Sequence, residues 1–422
     1  MEHPAVEVTS PPERNMYVNV ISLVISYVLT GVLGLIFWAA AGRLYPPREV
    51  GIAAALITSA TVLSALAVPL GRLYERFLPL AGTRTGPLLT HGFLVVAATA
   101  VLLGIGLVAF GPRHALFETG WAMGSYPVLV MVLAVFTLQD RATAGLGVAR
   151  WGAAKNSFHS VAKLAILVIF AGVGSAAAIV ASWGTTAAVA ALCLLVAVRR
   201  RYRSHPRFQV APNLPPRREL WSYFGSSFGI NAAWAIGPLL VPLIVVAELG
   251  AEANAHFAVT WAIINALYLM VRLVVCPYVA EVSASPDKVA PLTFRLVGLV
   301  AAVSLVSGVG LLVVGPSMLS LVGSEYRADG QGLLYLAAAF VPLSAVGAIY
   351  EGLARVQRKM MLMMVVSCLS TFVTVFGSLI GTRLLGVVGV GWAYLAAEMV
   401  SAIALFVPTA LWLRRTVKAN GT

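Results

Sequence analysis

RRRYRSHPRFQVAPNLPPRREL, residues 199–220, is the longest polar stretch in the chain and lies near its middle. It is rich in Arg and Pro and has no apolar periodicity, so it reads as a linker. On either side the sequence changes character: long apolar runs alternate with short basic loops. Of the 422 residues, 60% are hydrophobic and 11% are charged. An ordinary soluble domain has roughly 45–50% and 25%. Mean hydropathy is +0.90. A soluble chain of this size could not cover itself with so little polar surface, and a disordered one would be poor in apolar residues. The composition is that of a polytopic membrane protein.

Crossing about 30 Å of hydrocarbon takes roughly 20 apolar residues. On that measure the runs fall near 18–41, 50–70, 90–110, 126–138, 151–173 and 176–198. After the linker they fall near 220–247, 255–279, 289–314, 332–353, 360–380 and 387–413. The expected fold is an all-α membrane protein of about 12 transmembrane helices. A six-helix lobe (1–198) precedes a basic cytoplasmic linker (199–219) and a second six-helix lobe (220–422). Cytoplasmic loops accumulate Lys and Arg. With the N-terminus inside, 21 of the 29 cations fall in inner segments, five in outer loops and three within helices. Both termini are therefore expected to be cytoplasmic, and the first run is read as a retained helix. The net charge of +13 follows from topology and contact with anionic lipid, not from a nucleic-acid partner. Cys193, Cys276 and Cys368 each sit in an apolar run without disulfide or metal-ligand spacing.

The two halves open alike. The first helix carries Asn19, Ser22, Ser26 and Thr30 at three- and four-residue spacing. The seventh carries Ser227, Asn231 and Trp234, then Pro238 and Pro242. Such spacing puts polar side chains on one face, which must meet protein or water because lipid cannot satisfy it. Ser and Thr gluing helices together is the alternative for the first helix. The repeat in both halves points to matched bundles around a central cavity. Proline removes a backbone donor, and interrupted helices in repeated halves mark sites and hinges.

Asn156, His159 and Lys163 recur on the fifth helix, and Asn265, Tyr268 and Arg272 on the eighth. A cation at the bilayer centre costs at least about 2.5–3.5 kcal/mol on insertion scales, so it faces the interior or snorkels. Arg295 lies close enough to the inner surface to snorkel. Glu398 is the one acid placed deep in a helix by this reading, able to bind a coupling ion or pair with a cation. Asp140, Glu75, Glu281 and Glu351 fall near inner helix ends, beside Arg and Lys. With Arg72 and Arg76 at the inner mouth, the interior carries excess positive charge. Arg and Lys there suit an anionic cargo such as a diphosphate. There is no nucleotide-binding or metallopeptidase motif, and no G-x-S-x-G followed by Asp and His in a plausible context, so no enzyme, metal or cofactor is expected.

GRLYPPREVGIAAALITSATVLSALAVPLGRLYERFLP (42–79) resembles the opening helix pair of polysaccharide flippases of the Wzx type. These belong to the multidrug/oligosaccharidyl-lipid/polysaccharide (MOP) exporter superfamily. LQDRATAGLGVARWGAAKNSFHSVAKLAILVI (138–169) is similar to that family's loop between helices four and five, with a Lys in the fifth. LLVPLIVVAELGAEANAHFAVTWAIINALYLMVRLVVCPYVAEVSA (239–284) is similar to its seventh and eighth helices. The resemblance implies two pseudo-symmetric six-helix bundles around a cavity that opens alternately to each side of a bacterial inner membrane. It implies a polyprenyl-diphosphate-linked oligosaccharide as substrate, within a pathway that includes a polysaccharide polymerase and glycosyltransferases.

By position, Lys163, Arg272, Arg72 and Arg76 are the candidate cations, with Asn231, Asn265 and Asn156 as polar contacts. Glu398, Asp140, Pro238 and Pro242 are candidates for coupling or gating, by H+ or Na+ if an ion is used. The alternatives are a cation-coupled exporter of drugs or secondary metabolites and a non-transporting membrane scaffold.

Overall fold

A computed structural model describes residues 12–204, 210–212, 214, 217–284, 289–357 and 359–420. Among these residues the chain forms helices and connecting turns, with no strand. The first half contains α1 (Pro12–Leu44), α2 (Pro47–Ala67), α3 (Leu70–Phe77), α4 (Thr85–Phe110), α5 (Arg113–Leu116), α6 (Gly120–Gly145), α7 (Ala149–Ile169) and α8 (Ala176–Ser204). The second contains α9 (Arg217–Leu273), α10 (Val275–Ala284), α11 (Val289–Val313), α12 (Gly315–Val322), α13 (Ser324–Val356), α14 (Met361–Leu385) and α15 (Val387–Asn420).

Helix is what the apolar runs require, since lipid offers backbone groups no partner. Proline and glycine set the breaks. Pro47 opens α2 at a position where its missing donor costs nothing. Gly386 (φ +61°) turns the chain between α14 and α15. Thr119 caps α6 by accepting from the Ala122 amide at 3.2 Å.

Among the described residues, nine helices are long and apolar enough to cross a membrane, which makes this a multi-pass membrane protein. One of the nine ranges, Ala235–Val279, is 45 residues long, about twice a single crossing. It is divided at Gly250, whose φ of 87° and ψ of 174° are non-helical, so α9 is two helical arms meeting at one residue. Dihedrals stay helical through Pro238 and Pro242; the break expected near these prolines lies at Gly250 instead. α7 is absent from the nine because Lys155, Asn156, His159 and Lys163 lower its hydropathy.

Two boundaries differ from the sequence reading. α2 ends before Pro69, so Arg72 and Arg76 lie on the separate short helix α3. The polar stretch is also narrower than its composition suggests, because α8 continues through Ser204 and α9 begins at Arg217. Arginine is a good helix former, and a basic run therefore does not itself end a helix.

α1–α8 pack mainly against one another, as do α9–α15, and α2 lying along α9 is the main seam between the two groups. The span of α2 is 72% buried, against 17% for the span containing α4. At one end of the seam, the carbonyl of Ala251 occupies the place a side chain at Gly51 would need. Fully buried Asn254 donates there to the Gly51 carbonyl at 2.8 Å. Near the other end, the Thr83 amide donates to Val210 of the linker at 3.0 Å.

Candidate functional site

α7 packs against α1, α6 and α8. Its buried polar face is Lys155, His159 and Lys163, each four residues from the next, which is the spacing of neighbours on a helix. Lys155 is 5% exposed, and its ammonium pairs with Asp140 at 2.9 Å, donates to the Phe136 carbonyl and lies 3.4 Å from the Phe136 ring centroid. His159 sits between the two lysines. Its Nδ1 is 2.9 Å from the Thr186 hydroxyl, and its ring lies 5.0 Å from Phe136 and 5.8 Å from Trp183. Lys163, 4% exposed, holds its ammonium 3.3 Å from the Trp183 centroid and 5.1 Å from Phe37. Cations and aromatic rings thus alternate along one column.

Asn156 stands beside this face and donates to Asp140 at 3.2 Å. The stripe read from the sequence is therefore displaced by one residue: Lys155, which that stripe left out, is interior, and Asn156 supports its partner. The i, i+4 series ending at Lys163 was the signal available. On α1, Ser26 donates to the Ala153 carbonyl of α7 at 2.9 Å, so this member of the first-helix stripe is helix–helix glue.

The second half holds a different arrangement. Arg272 on α9 reaches Glu351 on α13 at 3.3 Å and the Tyr268 hydroxyl at 3.4 Å. Arg355 pairs with the other oxygen of Glu351. Tyr268 donates to Glu398 on α15. Glu351 is 4% exposed and Glu398 is half-buried. Glu351, which the sequence places near a helix end, is the less solvent-exposed of the two acids. Two carboxylates and two guanidiniums balance here. A buried ion pair must recover the cost of desolvating both groups through good geometry and further hydrogen bonds, and this chain of contacts supplies them.

Of the other residues singled out, Arg76 is exposed, with its guanidinium 5.2 Å from the Phe77 centroid. Asn265 is exposed. The side chains of Arg72 and Asn231 lie outside the described residues. Pro238 and Pro242 sit within α9. Lys163 and Arg272 thus occupy separate clusters, one in each half. The contrast is electrostatic. Among the described residues Lys163 has no carboxylate partner, whereas Arg272 has one and lies in a neutralised network.

No protein-family model matches this chain, and no curated protein matches it in sequence. Solved structures do. The lipid II flippase MurJ in an inward closed conformation superposes with a TM-score of 0.70 at 10% identity, covering 92% of this chain and 87% of that one. A multidrug resistance MATE family transporter of the MOP superfamily, inward-facing, gives 0.72 at 14% identity over 95% and 99%. An outward-facing MATE family structure gives 0.64 at 14% identity over 97% and 98%. At these identities the likeness is one of architecture: the chain shares the helical fold of these structures.

Proposed function

We propose that this protein is a flippase that moves a polyprenyl-diphosphate-linked oligosaccharide from the inner to the outer leaflet of a bacterial cell membrane. It does so by alternating access between two six-helix lobes, with twelve crossings and both termini inside. The cargo feeds cell-surface polysaccharide synthesis, with a polymerase and glycosyltransferases as pathway partners. The observation that carries this reading is Lys163: a deeply buried ammonium without a carboxylate partner among the described residues. The unmatched positive charge favours a phosphate-bearing headgroup, which accepts charge-assisted hydrogen bonds. Architectural likeness to a lipid II flippase supports the same class of cargo. Arg272 joins Lys163 only when Glu351 is displaced, and Glu398 and Asp140 are the carboxylates available for coupling to H+ or Na+.

The second reading, a cation-coupled multidrug exporter, draws on the likeness to MATE structures. The α7 column argues against it, because two lysines face one acid there.

Translocation of a fluorescently labelled polyprenyl-diphosphate sugar in proteoliposomes tests the proposal. Wild-type protein should flip the lipid. Lys163→Ala should slow flipping by about ten- to a hundredfold, since a hydrogen bond to a charged group contributes about 1.5–3 kcal/mol. Wild-type rates equal to empty liposomes, alongside toxin efflux from the same vesicles, would give the exporter reading the field. Neither activity would leave a scaffold.

A further inference from the structure

Lys163 does more than carry charge. Phe37 and Trp183 meet edge to face, with centroids 5.1 Å apart and planes at 85°. Trp38 backs both, at 5.4 Å from Phe37 and 6.2 Å from Trp183. Phe37 is fully buried. Rings set at right angles around a dry space make a receptor for a cation, whose attraction to each π face is strongest where water is excluded. Here that space is filled from within: the Lys163 ammonium lies against Trp183 and within reach of Phe37. Its methylene stem fills the apolar approach from α7.

We propose that Phe37 and Trp183, backed by Trp38, form an organic-cation site in the first half, and that Lys163 is its tethered occupant. The lysine then sets specificity in two ways. It occupies the rings that an alkylammonium or quaternary ammonium would use, and its charge repels such a ligand from the surrounding interior. His159, next in the column, has its Nδ1 at Thr186 and meets Trp183 ring to ring at 5.8 Å, with planes at 73°. The site goes beyond the proposed transport activity, because it concerns what the protein refuses.

The test is a filled-or-vacant experiment. Lys163→Ala removes three carbons and the amine, and n-propylammonium restores those atoms. In detergent, n-propylammonium chloride should raise the melting temperature of Lys163→Ala saturably, with a half-saturating concentration about fivefold below that of neutral 1-propanol. Wild-type protein should show no saturable response, and Lys163→Ala combined with Trp183→Leu should lose the preference for the amine. If Lys163→Ala does not accumulate, the same comparison is made during expression. Recovery of membrane yield with n-propylammonium in the medium, and not with 1-propanol, would support the site. An amine response equal to that of the alcohol, one shared by wild type, or one surviving loss of Trp183 would overturn it. Failed lipid flipping with an intact amine response would sink the transport reading and leave this one standing.

Discussion

Glu351 accepts from two guanidiniums at once, and its side chain is only 6% exposed. Arg141 and Glu75 also pair, at 2.6 Å, but with side chains 51% and 37% exposed. The two sites should respond differently to loss of the acid. Exposed pairs contribute about 0–1 kcal/mol, whereas stranding a buried partner costs about 3–5 kcal/mol. The partly exposed Arg272 and Arg355 place the Glu351 site toward the lower end of that range. Glu351→Ala should therefore lower the melting temperature in detergent several-fold more than Glu75→Ala. Equal shifts would mean that water reaches Glu351 freely. Sequence alone showed the charges but not their partners. Arg272 and Glu351 are 79 positions apart, and the Phe37 ring beneath Lys163 comes from another helix altogether. Local spacing reveals which residues share a face of one helix; it carries no information on which helix that face meets.

At the level of the helix, the apolar runs were legible because lipid imposes both length and internal hydrogen bonding on any segment that crosses it. Boundaries were less so. Apolar content continues across Pro69, and α8 proceeds into a basic run that reads as linker. The α2–α9 seam was invisible, since a glycine in an apolar run does not announce what approaches it. Gly51 is where that seam is tightest, and a larger residue has no room beside Ala251. Gly51→Leu should force α2 and α9 apart at this end. Spin labels at His114 on α5 and Glu252 on α9, both exposed, would report a longer and broader distance distribution than in the otherwise native protein. An unchanged distribution would show that the helices can repack around the leucine.

For the whole molecule, the asymmetry of cations between the two sets of loops makes orientation the property most open to direct measurement. The arginines of residues 199–218 are trypsin sites, and the proposed topology puts them on the cytoplasmic side. Limited trypsin digestion should cut first in this region in inside-out vesicles, giving two fragments of similar size, and should spare it in spheroplasts. Cleavage from the outside would reverse the topology and with it the direction proposed for the cargo. The expected division into halves rests on one polar stretch that interrupts an otherwise apolar chain. The electrostatic difference between the halves was not readable, because it arises from pairing and not from composition.

The single-residue junction at Gly250 has a mechanical corollary. With no loop between its arms, α9 has no slack to absorb movement, and Gly250 is the pivot of a bent lever. The stretch just beyond that pivot, Ala251 to Asn254, bears on α2, while Arg272 at the far end of the same arm bears on α13. If the protein works by the alternating access proposed above, tilting this arm to free Gly51 would also shift Arg272 relative to Glu351, coupling the helix seam to the buried charges.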